Sequence, residues 1–160
     1  MDYKQLSKEA NRAFITADHM AYVTYPLVKD IKLIITVLEN LYLSLTFGME
    51  SILNYERNFR RIPPYPENLT AKIDTFKNKC ATRYNIPRNY IVLMEEIKKV
   101  LEQHKKSSTV FRRENKLVMM SNDFRMQTLT IDKAKQYVQE TKPLIDKINR
   151  VIGQNGIPVR

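Results

Sequence analysis

The residues best suited to chemistry in this chain are arginines standing beside aromatic side chains at three breaks in the helical pattern. Arg57, Arg60 and Arg61 close a long apolar segment next to Tyr65. Arg83 and Arg88 flank a second break with Tyr84 and Tyr90, and Arg112, Arg113, Lys116 and Arg125 flank a third with Phe111 and Phe124. A guanidinium pairs with phosphate oxygens while an exposed ring stacks on a base, so this combination suits single-stranded RNA. The competing use is structural: the rings anchor loops, and the arginines cap carbonyls or pair with Glu56, Glu67 and Glu114. Pairs of that kind contribute little at an exposed surface. The RNA reading gains if the three groups converge on one end of the fold.

Most familiar catalytic chemistry is missing. The only glycines are Gly48, Gly153 and Gly156, from which neither a phosphate-cradling loop nor a dinucleotide fingerprint can be assembled. No Gly-x-Ser-x-Gly elbow occurs. His19 and His104 are the only histidines, and no Glu-x-x-His pair exists for a di-metal carboxylate bundle. Cys80 stands alone, which excludes an internal disulfide and a cysteine zinc site and suits a small core residue. No cofactor and no metal are expected. His104, beside Lys105 and Lys106 at a helix end, complements the helix dipole.

The charge reinforces the polyanion reading. The chain has 160 residues and a net charge of +10. From Arg57 to Lys116 fifteen Lys or Arg face six Asp or Glu, whereas residues 1–56 are slightly acidic. A one-signed region attracts RNA, another polyanion or an acidic protein partner, and its bland alternative is a solvated basic surface. Apolar residues at 43% suffice for one folded domain of this length. The most apolar run, Ile31 to Phe47, is broken by Lys32, Thr36, Glu39, Asn40, Ser44 and Thr46, so no membrane span is expected. The polar opening lacks a signal core, and a cytoplasmic location is expected.

The elements that must position these residues are helices. Leu6, Ala10, Ala13, Phe14, Ala17, Met20 and Ala21 recur on one face of a first helix from Leu6 to Tyr22, with Lys8, Asn11 and Asp18 opposite. Tyr25-Pro26 is expected to end it. A second, long helix from Lys29 to Phe59 carries a wide apolar stripe from Ile31 to Leu53, and Gly48 marks a bend or a close helix contact. The prolines of 62–66 form a connector. A third helix is expected from Pro66 to Ala81, with Leu69, Ile73, Phe76 and Cys80 inward. Asn85-Ile86-Pro87 opens a fourth, to Lys105. Residues 107–129 break the rhythm: 116–121 and 124–129 read as a β-hairpin around Asn122-Asp123 or an irregular excursion, with a helix at 115–120 as the alternative. Thr130 caps a last helix that Gly153 stops, kinked at Pro143. The expectation is an all-α antiparallel bundle of about five helices in one domain, 1–152, with 153–160 frayed.

Ala10 to Tyr22, Val37 to Leu45 leading to Met49 to Glu56, and the final helix resemble the HEPN superfamily of small helical domains across about two-thirds of the chain. The resemblance implies frequent dimerisation and association with nucleotides, RNA or a toxin–antitoxin partner such as a nucleotidyltransferase. Active members are metal-independent ribonucleases using an Arg and a His four to six residues apart. Arg12 and His19, with six residues between them on one helix face, match that spacing. The resemblance would make His19 an acid or base on a ribose hydroxyl and Arg12 a stabiliser of phosphate charge. The pair departs from the family by lying on the first helix rather than a later one. Three readings follow: a non-catalytic RNA-binding module, a protein-interaction or homodimerisation module, and a HEPN-type ribonuclease.

Overall fold

The structure is a computed structural model that describes residues 1–153, so the expected frayed tail lies, apart from Gly153, outside the described residues. Five helical rods and one small sheet make up the described fold. The first rod is α1 (Tyr3–His19), a π turn (Met20–Thr24) and α2 (Tyr25–Val28). It starts three residues earlier than expected because Asp2 and Gln5 form a reciprocal capping box. It also runs through Tyr25-Pro26, contrary to expectation. Ahead of the proline the bonding widens, with the Tyr25 N–H reaching back to Met20 O, and the rod ends only at Lys29 in the left-handed region.

The second rod, α3 (Lys32–Asn58), is the spine. Ile34, Leu38, Leu41, Leu45, Met49 and Ile52 are fully buried, and α3 packs against all four other rods. By length and composition alone α3, with a mean hydropathy of 1.2 over its most apolar stretch, is apolar enough to cross a bilayer, a property that buried core helices share. Half of that stretch is buried inside the fold. Small residues bring α1 onto α3: Ser44 Oγ donates to Ala10 O at 2.7 Å. Gly48 serves close contact. A Cβ there would lie 2.5 Å from Tyr90 Oη and 3.3 Å from Ile145 Cδ1.

A third, short rod crosses the C-terminal half of α3: α4 (Leu69–Thr75), a π turn (Phe76–Cys80) and α5 (Ala81–Tyr84). Its cap is Asn68, whose side chain accepts from Ala71 N at 2.8 Å, so Pro66 lies outside the helix. Phe76 and Cys80 are buried as expected, while Leu69 and Ile73 are only half-buried. The fourth rod, α6 (Asn89–Lys106), runs antiparallel to α3: Tyr90 Oη donates to Leu45 O, while His104 and Lys105 border the groove that Ile35 and Glu39 line. The last, α7 (Ile131–Ile152), continues through the exposed Pro143 and ends at Gly153 with φ 82°. Asn149 meets Ser7 and Asn11 from α1, and Gln139 meets Tyr22, so α1 and α7 are antiparallel. Asp18, expected outside, is buried because it falls between Phe14 and Ala21 on the inward stripe.

Between α6 and α7 stands a three-stranded antiparallel meander, β1 (Thr109–Arg113), β2 (Lys116–Met120) and β3 (Met126–Thr130). The expected hairpin is β2–β3; β1 is additional, and the helical alternative at 115–120 is overturned. Leu117, Met119 and Leu129 join the main core and tie the sheet to the bundle.

Candidate nucleic-acid interface

The antiparallel layout separates the basic residues. One end of the bundle gathers the start of α1, the end of α3 and α5. The other gathers the start of α3, the end of α6, the sheet and the start of α7. Arg88 opens α6, a helix of eighteen residues and about 27 Å, while Arg113 belongs to the sheet that follows its far end. The three groups of arginines therefore do not converge.

At the α3 end the cations are engaged. Glu56 is completely buried, and its carboxylate accepts from Arg83 Nη1 and from Tyr84 Oη, with Arg61 Nη1 3.6 Å away. Arg61 also donates to Tyr84 Oη at 3.1 Å and lies over the rings of Tyr55 and Phe59, at 5.5 and 5.2 Å. Arg57 stacks over Tyr65 at 5.6 Å and faces Glu67 at 3.9 Å. Tyr90 is fully buried and offers no stacking surface. Burial, and then the Glu56 carboxylate, push the neighbouring Cys80 thiol up to about 12. A buried carboxylate in a dry setting demands such donors, so these arginines hold the third rod onto α3. Arg60 is exposed, with φ 55° and no ion pair among the described residues.

At the sheet end the arrangement differs. Strand register places Leu117, Met119 and Leu129 on the inward face and Phe111, Arg113, Lys116, Val118, Met126 and Thr128 on the outward one. Arg113 and Lys116 are exposed and have no carboxylate partner among the described residues. Val118 is buried beneath its own-face neighbours, at the base of a depression of about 220 Å³ bordered by Arg113, Glu114, Lys116 and Met126. Arg112 donates to Glu114 O at 2.7 Å, bracing the β1–β2 turn, and Arg125 pairs with Asp123 at 3.1 Å. Phe124 is 82% exposed and held at φ 62°, a left-handed conformation that a bulky side chain rarely adopts. A ring displayed to solvent from a strained loop is an arrangement found where a ligand is gripped.

A groove of about 710 Å³ runs beside this face, between α6, the sheet and α7. Lys99, Gln103 and Lys106, together with the acidic Glu96, line its α6 wall, and Lys133 and Tyr137 its α7 wall. None of these residues stands out in the sequence, although the 4-then-3 spacing of Lys99, Gln103 and Lys106 puts those three on one helix face. Lys133 Nζ lies 4.9 Å from the centre of the Tyr137 ring. Burial, then the Glu96 and Glu140 carboxylates, push the Tyr137 hydroxyl up to about 12.

Arg12 and His19 share the exposed face of α1. Arg12 pairs with Glu9 at 3.1 Å, and His19 Nδ1 lies 3.4 Å from Thr24 Oγ1; no third group joins them among the described residues. Among those residues no three His, Cys, Asp or Glu side chains are placed to hold a metal ion. In comparisons with known proteins, no family model, no curated protein and no solved structure matches this chain.

Proposed function

We propose that the protein is a non-catalytic module that binds single-stranded RNA through the outward face of its sheet and the adjoining β2–β3 loop. The observation that carries this reading is the pairing of exposed Phe111 and Phe124 with Arg113 and Lys116, cations that form no ion pair among the described residues although Glu114 borders the same depression. Rings stack on bases irrespective of sequence, and the cations follow the phosphates. The strained, solvent-facing Phe124 supports the same reading, since a purely structural loop would favour glycine there. Catalysis is not part of the proposal. Arg12 and His19 lie on another helix, where Arg12 pairs with Glu9 and His19 lies beside Thr24.

The test is titration of a short single-stranded RNA of mixed sequence at several salt concentrations. Binding should weaken linearly on logarithmic axes, by about 0.7 of a slope unit per phosphate contact. Absence of binding at low salt would end the reading. A second reading, a protein-interaction module, draws on one feature: β1 is an edge strand exposed along its whole length, open to pairing with a strand from another chain. It predicts a stable dimer or hetero-complex that proline at Val110 abolishes.

A further inference from the structure

One edge of the sheet presents main-chain hydrogen-bonding groups that no strand among the described residues takes up. β1 pairs with β2 on one side only, and all five of its residues are exposed. The other edge strand, β3, lies against α7 and leads directly into it. Natural edges are shielded by proline, by lysine or by a bulge. β1 contains neither residue, and its pairing with β2 runs without a bulge from Thr109 to Arg113. The last pair sets Arg113 directly opposite Lys116, two like charges that repel. Glu114 borders the same depression, yet neither cation forms an ion pair among the described residues. Arg112 is engaged within the turn, where its guanidinium donates to Glu114 O at 2.7 Å and to Asn115 Oδ1 at 3.3 Å. On the opposite face of β1, Val110 is 40% exposed beside the buried Met119. A strand added along β1 therefore meets a cationic row on one face, Arg113 and Lys116, and an apolar row on the other, Val110 and Met119.

We infer that β1 takes up an acidic, extended segment of a partner protein as a fourth strand, with a carboxylate beside Arg113 and Lys116 and an apolar side chain beside Val110. Strand addition draws affinity from main-chain hydrogen bonds and specificity from alternate side chains. A second copy of this chain fits the edge less well, because pairing β1 with its own counterpart brings Arg112 and Arg113 of both copies into one short ladder. Such a partner deepens the protein-interaction reading by giving it a chemistry, and one consequence rests on the RNA reading. The partner's carboxylate and an RNA phosphate compete for the same two cations, so the acidic strand displaces RNA from the sheet face.

The probe is a short synthetic peptide that alternates glutamate and valine, added to the whole protein while backbone amide exchange is followed. Two controls of the same length accompany it, one with glutamine for every glutamate and one with proline for the central valines. The glutamate peptide should slow exchange of the β1 amides that face away from β2, and it should release bound RNA. The proline control keeps the charge but cannot complete a ladder, so it should do neither. The glutamine control should bind roughly fivefold more weakly, and Arg113→Gln should bring the glutamate peptide down to the same level. Equal protection by the glutamine control would leave strand pairing standing and overturn the acidic partner. Equal displacement of RNA by the proline control would overturn strand addition, because charge alone would then draw the peptide. No protection by any peptide would overturn both the inference and the open edge on which the protein-interaction reading draws. If the glutamate peptide protects β1 while RNA stays bound, the shared cations are overturned. If it protects β1 and RNA binds under no condition, the RNA reading falls and the docking edge is supported. A dimer of the protein alone with β1 amides already protected would put a second copy on the edge and overturn the acidic partner.

Discussion

Two regions of this molecule share a composition, arginine beside aromatic rings, and use it in opposite ways. At the end of α3, Arg61 and Arg83 converge on the buried Glu56, and Arg57 lies over Tyr65 beside Glu67. Their charges are engaged with carboxylates and rings, although the three guanidiniums and Phe59 stay partly exposed. At the sheet, Arg113 and Lys116 form no ion pair among the described residues, and Phe124 is 82% exposed with Phe111 partly so. The lesson is that one buried carboxylate decides what an arginine is for. A guanidinium satisfied within the fold stabilises it, and one left unsatisfied beside an exposed ring is available to a polyanion.

The contrast can be broken most forcefully at Glu56. Glu56→Ala strips Arg61, Arg83 and Tyr84 of their shared acceptor and should cost about 3 kcal/mol, at the lower end for a buried pair because the arginines can turn to water. Chemical denaturation would measure this, and RNA affinity of the folded fraction should be unchanged. A loss of affinity would show that the α3 end takes part in binding. Next in size is Gly48→Ala, whose added methyl meets Tyr90 Oη and Ile145; it should destabilise by about 2 kcal/mol despite the better helix former. Denaturation would again read it, and an unchanged or raised midpoint would refute the tight packing. Phe124→Gly works the other way. Release of the left-handed strain should raise stability by about 1 kcal/mol, while RNA affinity falls through loss of a stacking platform. Stability gained without loss of affinity would remove Phe124 from the interface. Cys80 gives the smallest effect, nil at neutral pH. Its thiol is raised from 9.0 to about 12 in the fold, so the unfolded chain releases a proton that the folded chain keeps. Stability should therefore fall as pH rises from 9 towards 12, and Cys80→Ala should flatten that fall in alkaline melts.

Helices were legible in the sequence wherever packing demanded a stripe: Ile34 to Leu53 in α3, and Ala134 to Ile152 in α7. The caps Thr130 and Gly153 were legible for the same local reason. Prolines misled twice, at Pro26, where a π turn absorbs the missing donor, and at Pro66, where Asn68 provides the better cap. Strand β1 was hidden because its side chains are exposed on both faces, leaving no apolar alternation to read. The resemblance to helical nuclease-like domains rests on residues such as Ala10, Leu38 and Leu45, which the fold uses to pack α1 on α3. Of the site, the pairing of arginines with Glu56 and Glu67 was foreseen as the structural alternative. Which arginines remained unpaired was not, since α3 and α5 meet only in three dimensions.

The central claim is tested most directly by comparing two charge-matched double variants in one RNA titration. Arg113→Glu with Lys116→Glu reverses the sheet face, and Arg60→Glu with Arg88→Glu reverses exposed charges away from it. The first pair should lose at least roughly tenfold in affinity and flatten the salt dependence, and the second should lose little beyond the shared long-range term. Equal losses from both pairs would contradict the account, because binding would then follow net charge rather than the sheet.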